Sequence, residues 1–205
     1  MQTLPRNPIL RQYFRAHYAL PSEHGSWVFL LSPLLIGVFA GDRFTTSSIS
    51  LIIAVLAAFL IRQPVIIAVK AYSGRRSKAD LPAARFWLIV YSLICIIGLT
   101  ILFLNGYASL LYLAIPGVPV FAWHLWLVSR RKERRQAGVE ILGSGVLALS
   151  APAAMWVGSG TADPTGWLLF LLTWLQSAAS IVYAYLRLEQ RDLKSLPPVS
   201  TRWRM

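Results

Sequence analysis

Six long apolar stretches separated by short polar loops constrain this sequence more than any other feature. An α-helix rises 1.5 Å per residue, so about 20 residues cross the roughly 30 Å of hydrocarbon in a bilayer. Each stretch is long enough to do so. The sequence therefore predicts an all-α, polytopic membrane helix bundle with six transmembrane helices, placed roughly at residues 22–41, 48–69, 86–104, 107–129, 137–157 and 166–186.

Composition supports a membrane protein rather than a soluble one. The chain is 56% hydrophobic and 14% charged, whereas soluble domains average about 45–50% apolar and 25% charged residues. A net charge of +12 would suggest nucleic-acid binding in a soluble protein, but here the lipid bilayer is the expected partner and nucleic acid is not. A single cysteine, Cys95, lies in an apolar run and excludes a Cys-based metal cluster. No metal site is predicted.

The basic residues predict the orientation. All but two of the 20 Lys and Arg residues lie before the first stretch, between the second and third, between the fourth and fifth, or after the sixth. The exceptions are Arg43, in the first loop on the opposite side, and Arg62, inside the second stretch. Short loops rich in positive charge mark the cytoplasmic face. Both termini are therefore expected in the cytoplasm.

Three regions follow from this topology. Residues 1–20 form a basic N-terminal segment, read either as a short helix in the membrane interface or as a frayed tail. Residues 21–188 form the transmembrane domain, and residues 189–205 form a basic cytoplasmic tail that lacks apolar periodicity and is expected to be mobile.

The six stretches differ in character. The third is apolar almost throughout, which favours a lipid-facing helix. The fourth contains Pro116 and Pro119, which predict a kink. The fifth is rich in small residues at spacings of three and four, which predicts close packing against its neighbours and against the sixth stretch in particular: Gly138, Gly143, Ser144, Gly145, Ala148, Ser150 and Ala151.

Arg62 is the most informative polar residue. An arginine in hydrocarbon costs at least about 2.5–3.5 kcal/mol, so it needs a partner or a cavity, unless its side chain snorkels to the headgroups. Gln63 and Pro64 follow it directly, which favours a functional site or a buried ion pair. Glu140, in the fifth stretch, is the predicted partner. The alternative for Glu140 is an interfacial acid that balances the basic loop before it.

Further polar residues lie at the same predicted depth, the cytoplasmic third. Glu23 and His24 begin the first helix, where Glu23 also suits the helix dipole and His24 suits acid–base chemistry. His124 lies in the fourth stretch, and Tyr183 and Arg187 end the sixth. Together they predict one polar pocket, built by the first, second, fifth and sixth helices and open to the cytoplasm or the inner leaflet.

Two arginines in such a pocket suit an anionic ligand or lipid headgroup. Arg62, Gln63, Tyr183 and Arg187 are the candidate ligand-binding residues, and Glu23, His24 and Glu140 are the candidate catalytic ones. The first hypothesis is an enzyme or binding protein for an anionic lipidic or prenyl-type small molecule, with no cofactor specified and self-association left open. The alternatives are a small transporter or channel subunit, favoured by the kinked fourth helix and Gln176, and an assembly factor in which Arg62 and Glu140 only form a packing pair.

The motif Pro21-Ser-Glu-His-Gly25, followed by Leu-Leu-Ser-Pro-Leu-Leu-Ile-Gly37, resembles the opening signature of the YwiC-like family of bacterial membrane proteins. Further matching positions are Arg62-Gln-Pro64, Glu140, Ala151-Pro152, and Ser180, Tyr183 and Arg187. The resemblance implies a multi-pass protein of the bacterial inner membrane and no particular activity. The first helix is also faintly similar to that of UbiA-type prenyltransferases, but this sequence has no aspartate-rich motif for magnesium diphosphate.

Overall fold

A computed structural model describes residues 16–21, 24–131 and 136–191. Within these ranges the chain is helical and contains no β-strand. Two short 3₁₀ helices, Lys78–Asp80 and Ala108–Leu110, precede longer elements. The α-helices in chain order are α1 (Ala16–Ala19), α2 (His24–Ala40), α3 (Thr46–Tyr72), α4 (Leu81–Leu104), α5 (Leu111–Ala114), α6 (Gly117–Ser129), α7 (Ala137–Ala148), α8 (Ser150–Ser159) and α9 (Pro164–Arg191).

Five stretches of the described chain are long and apolar enough to cross a bilayer. They correspond to the second to sixth predicted segments, with α5–α6 and α7–α8 each counted as one stretch. The first segment forms α2, which is apolar but only 17 residues long. The described part of the chain is thus all-helical, and its apolar stretches are those of a multi-pass membrane protein.

The stretch α7–α8 lies at the centre of the bundle. Of its apolar window, 67% is buried, against 28% for α3, 17% for α4 and α9, and 11% for the stretch containing α6. A Cβ on Gly37 of α2 would stand 2.1 Å from the Ala151 carbonyl oxygen, and one on Gly145 would meet the Trp174 indole at 2.8 Å. The predicted close packing of the fifth stretch is therefore seen at Gly145 and Ala151, whereas nothing lies within 4 Å of a Cβ built on Gly138 or Gly143.

The proline pair of the fourth stretch breaks its helix as predicted. Helix α5 ends at Ala114 and α6 begins at Gly117, with Pro116 between them. Pro33 and Pro64, in contrast, lie inside helices that continue through them. Each of the two is almost fully buried, so packing against neighbouring helices stabilises the positions where a proline removes a backbone hydrogen bond.

The loops gather at two ends of the bundle. At one end, the Asn105 amide donates to Ser47 Oγ over 3.2 Å, and the Tyr107 hydroxyl donates to the Val157 carbonyl over 3.2 Å. At the other end, the Arg75 guanidinium donates to the Val128 carbonyl. This second end carries the loops rich in Lys and Arg, so we call it the basic end.

Helix α1 packs on protein at the basic end. Tyr18 is only 3% exposed, and the Tyr91 hydroxyl of α4 donates to the Ala19 carbonyl over 3.0 Å. Residues 16–19 are therefore held beneath α3 and α4 rather than lying free. The rest of the predicted N-terminal segment, residues 1–15, lies outside the described residues. Of the tail predicted over 189–205, residues 189–191 end α9 and residues 192–205 lie outside the described residues.

Candidate functional site

A cavity of about 660 Å³ lies between α2, α3, α6 and α7. Its polar lining comes mainly from the basic end of the bundle, and its apolar lining reaches toward the middle. The polar members are His17, Ser26, Arg62, Gln63, Lys70, Arg76, His124, Gln136, Glu140 and Ser144; the larger apolar members are Phe29, Phe59, Ile66, Ile67, Val120, Phe121, Leu127, Val128, Val139, Val146 and Leu147.

The cavity is elongated and changes character along its length. Its lining extends along α3 from Lys70 to Phe59 and along α6 from Val128 to Gly117. Each range covers about 16 Å at the helix rise. Lys70 and Val128 mark the basic end, whereas Phe59, Gly117 and the nearby Leu147 mark the deep end. The result is an amphipathic cleft with a cationic mouth and an apolar interior.

Arg62 is half-buried on the cavity wall, where a neighbouring helix holds it. Its Nη1 donates to Ser26 Oγ of α2 over 3.3 Å, and the adjacent Trp27 packs edge-on against Phe59 with ring centroids 5.0 Å apart. Gln63, also on the wall, donates from Nε2 to the His17 carbonyl over 2.9 Å. Arg62 and Gln63 thus tie α3 to the two elements that precede it in the chain.

Glu140 lines the same cavity but does not form the predicted ion pair with Arg62. Its Oε1 accepts a hydrogen bond from the Tyr185 hydroxyl of α9 over 2.8 Å. The reason is packing: Trp174 of α9 lies against Gly145 and donates to the Ile141 carbonyl over 2.9 Å, so α9 is held alongside α7. Tyr185 is thereby brought within reach of Glu140, while Arg62 is held on the side of α2.

Tyr183 and Arg187 lie outside the cavity, on the exposed face of α9, where Tyr183 is 63% exposed. Residues two apart on a helix point in nearly opposite directions, so the contact of Tyr185 with α7 turns both neighbours away. The wall expected from the sixth predicted helix is formed instead by α6, which places His124 on the cavity surface.

The side chains of the remaining two candidates, Glu23 and His24, are not described. Glu23 lies outside the described residues, and for His24 only its backbone position at the start of α2 is described. Their neighbours Gly25 and Ser26 do line the cavity. In the described part of the chain, no group of three or more His, Cys, Asp or Glu side chains comes close enough to hold a metal ion.

Lys70 and His17 are cavity residues that the sequence reasoning did not select. In the sequence, Lys70 serves only as one of the basic residues that predict the orientation. Its spacing from Arg62, however, indicates a cavity residue. Arg62, Ile66 and Lys70 are four residues apart in turn, so they share one helix face, and all three line the cavity. His17 had no comparable signal, because its position depends on how α1 folds back on the bundle.

A polar cluster fixes α1 at the mouth. The Tyr18 hydroxyl donates to Asp80 Oδ1 over 2.6 Å, and Arg76 Nε donates to Asp80 Oδ2 over 2.5 Å. The Arg76 guanidinium also lies 5.6 Å from the centre of the Tyr18 ring. Asp80 thus balances Arg76. Among the described lining residues, the basic side chains Arg62 and Lys70 thus outnumber the one carboxylate, Glu140.

Comparison with known proteins identifies the family to which the chain belongs. The model of a family described as "YwiC-like protein" matches residues 20–157, more than half of the chain. The chain belongs to the YwiC-like family. The matched range contains α2 to most of α8, and therefore every described cavity residue except His17, whereas Tyr183 and Arg187 lie beyond it.

One curated relative illustrates the match. "Uncharacterized protein YwiC" of Bacillus subtilis (strain 168) is 29% identical over 168 residues, which is 80% of this chain and 64% of that protein. This YwiC-like chain therefore spans less than two thirds of that relative's length. No solved structure matches the chain. The matches found are to YwiC-like proteins, and the fainter similarity to UbiA-type prenyltransferases stays a prediction.

Proposed function

We propose that this YwiC-like protein crosses the bacterial inner membrane six times, with both termini in the cytoplasm. This count adds α2 to the five long stretches, because its 17 residues reach the lower limit for a transmembrane helix. Support comes from the bundle itself, because the loops rich in Lys and Arg share one end and the loops containing Asp42 and Asp163 share the other. The positive-inside rule then assigns the basic end to the cytoplasm.

We further propose that the cavity binds an anionic lipidic small molecule, with prenyl-type compounds included in this class. One observation carries the proposal: the 660 Å³ cleft is cationic at its mouth and apolar in its interior. Its volume is in the range of small-molecule sites, about 300–1,000 Å³. Arg62 and Lys70 lie about 12 Å apart along α3 at the helix rise. An amphiphile fits such a cleft with its anionic group between these two side chains and its chain between Phe59, Val120 and Leu147.

The lining residues then take specific roles. Arg62 binds the anionic group, since its guanidinium presents several donors in a fixed plane, and Gln63 stabilises the mouth through His17. If the ligand is also transformed, Glu140 and His124 are the acid–base candidates on the described wall, and Glu23 and His24 remain candidates at the start of α2. Tyr183 and Arg187 suit headgroups at the surface of α9 instead.

The proposal is tested by extracting the protein in a mild detergent and weighing the intact complex by native mass spectrometry. The expected result is a bound anionic amphiphile in the wild type that is lost in Arg62→Gln. Arg85→Gln is the matched control, because Arg85 is an exposed arginine at the same end that donates to Tyr72 and does not line the cavity. Equal retention of the adduct by both variants contradicts the proposal.

Transport is the second candidate, and one residue favours it. Phe29 lines both the large cavity and a small polar cleft between α2 and α9, which Ser32, Thr173 and Gln176 help to form. Phe29 would then separate two parts of a path. If the protein is a transporter, Phe29→Ala should accelerate the release of entrapped inorganic phosphate from proteoliposomes. If it only binds its ligand, the rate of release should not change.

A further inference from the structure

We propose that the ligand reaches the cavity sideways from the inner leaflet, past α6, and not from the cytoplasm. This inference rests on the proposed binding function and names the source of its ligand: a lipid already resident in the bilayer. It also assigns Arg75 as the residue that secures the movable wall. Three observations on the walls of the cavity support it.

The first is that α6 is the least constrained wall. Helix α2 meets α8 at Gly37, where there is no room for a Cβ, and α3 meets α4 at Gly98, where a Cβ would stand 3.0 Å from Ala54. Parting those helices would break backbone-close packing. In the stretch containing α6, only 11% of the most apolar segment is buried. Moving this stretch therefore disrupts less packing than moving α3 or α7.

The second is that α6 is attached at its two ends, with the cavity between them. At the deep end, a Cβ on Gly117 would lie 3.2 Å from Val146 of α7. At the basic end, the Val128 carbonyl accepts a hydrogen bond from Arg75 of the loop that follows α3. Pro116 interrupts the helix directly before Gly117, which makes the deep end a natural pivot. The Arg75–Val128 contact is then the latch.

The third is the chemistry of the two faces of α6. Its inner face supplies cavity residues from Gly117 to Val128, while Val118, Trp123 and Trp126 on the other face are 70%, 46% and 52% exposed. In a membrane this outer face meets lipid, and tryptophan near a helix end is typical of the interface. Movement of α6 about Pro116 therefore opens the cavity to acyl chains, beside cationic groups at headgroup depth.

The experiment measures lipid exchange into the full-length protein. Protein equilibrated in phosphatidylglycerol nanodiscs is mixed with an excess of nanodiscs that contain deuterated phosphatidylglycerol, and bound lipid is followed by native mass spectrometry. Arg75→Met should exchange its lipid about tenfold faster than the wild type, since a charged donor to the latch is lost. Lys78→Met is the matched control, because it removes one charge from the same loop and Lys78 lies outside the cavity. It should exchange at the wild-type rate.

Two further measurements serve as controls. Arg75→Lys keeps a cationic donor and should exchange more slowly than Arg75→Met, which separates the latch from a folding defect. Glycerol 3-phosphate in the buffer supplies the same headgroup from the aqueous side and should not displace the bound lipid. Equal rates for Arg75→Met and Lys78→Met, or displacement by glycerol 3-phosphate, overturn lateral access while leaving binding intact. If the wild type retains no more lipid than Arg62→Gln, the proposed binding function itself fails and this inference falls with it.

Discussion

Arg62 Nη1 lies 3.3 Å from Ser26 Oγ, and this contact joins the middle of α3 to the start of α2. It holds the guanidinium on the cavity wall. The free-energy cost of a charge within the membrane is thereby offset by a polar environment. Ser26 directly follows the motif Pro21-Ser-Glu-His-Gly25 that opens the first apolar stretch. The opening motif and the central arginine are thus two sides of one site.

Ser26→Ala should weaken binding of phosphatidylglycerol without abolishing it. The substitution removes one hydrogen bond that orients Arg62, so a loss of about threefold to tenfold in affinity is expected, less than for Arg62→Gln. Titration of lipid into purified protein, followed by native mass spectrometry, measures the change. Ser109→Ala, at an exposed position at the opposite end, is the control. An unchanged affinity in Ser26→Ala contradicts a positioning role for Ser26.

Gly37→Ala should destabilise the protein markedly. The new Cβ would meet the Ala151 carbonyl oxygen at 2.1 Å, and backbone on both sides prevents a cheap adjustment, so a loss of about 1–3 kcal/mol or more is expected. Gly138→Ala is the matched control in α7, where nothing lies within 4 Å of a Cβ; it should be neutral or stabilise by about 0.5–1 kcal/mol. Thermal unfolding in detergent compares the two variants, and similar melting temperatures would refute the close α2–α8 contact.

Glu140 should be energetically coupled to Tyr185 and not to Arg62. In a double-mutant cycle of unfolding free energies, Tyr185→Phe and Glu140→Ala should be non-additive by about 0.5–1.5 kcal/mol, because one hydrogen bond joins the two side chains. Arg62→Ala and Glu140→Ala should be additive within about 0.5 kcal/mol. A double variant of Arg62 and Glu140 that is more stable than either single variant would instead support the packing pair considered from the sequence.

The orientation of the bundle is open to a direct labelling test. In a Cys95→Ala background, a cysteine at Ser77 should react with a membrane-impermeant maleimide only in inside-out vesicles, since Ser77 is exposed at the basic end. A cysteine at Thr161, exposed at the other end, should react only in right-side-out vesicles. The reverse pattern would place the cavity mouth on the periplasmic side and contradict the positive-inside assignment.

Much of the fold could be predicted because it depends on local patterns. Apolar length located the helices, the proline at position 116 located the break before α6, and the small residues around Gly145 predicted the central stretch. The first span stays a prediction in its N-terminal part. Of the apolar run over 22–41, His24–Ala40 is helical, and residues 22 and 23 lie outside the described residues.

The candidate site could be predicted only in part. Arg62, Gln63, His124 and Glu140 were selected from their depth, and depth does bring them around one cavity. Depth does not determine the side of a helix, however. Tyr183 and Arg187 share the predicted depth, but the rotation of α9 that brings Tyr185 to Glu140 points them away. That rotation is set by the packing of Trp174 on Gly145, a tertiary contact with no local signature.

The central claim is that a cationic cavity in this YwiC-like protein selects an anionic amphiphile through Arg62. The most direct measurement is the composition of bound lipid in nanodiscs that contain equal amounts of phosphatidylglycerol and phosphatidylcholine. The wild type and Arg85→Gln should carry phosphatidylglycerol in about tenfold excess over phosphatidylcholine, and Arg62→Gln should lose this preference. An equal mixture of both lipids on the wild type, or an unchanged preference in Arg62→Gln, would contradict the claim.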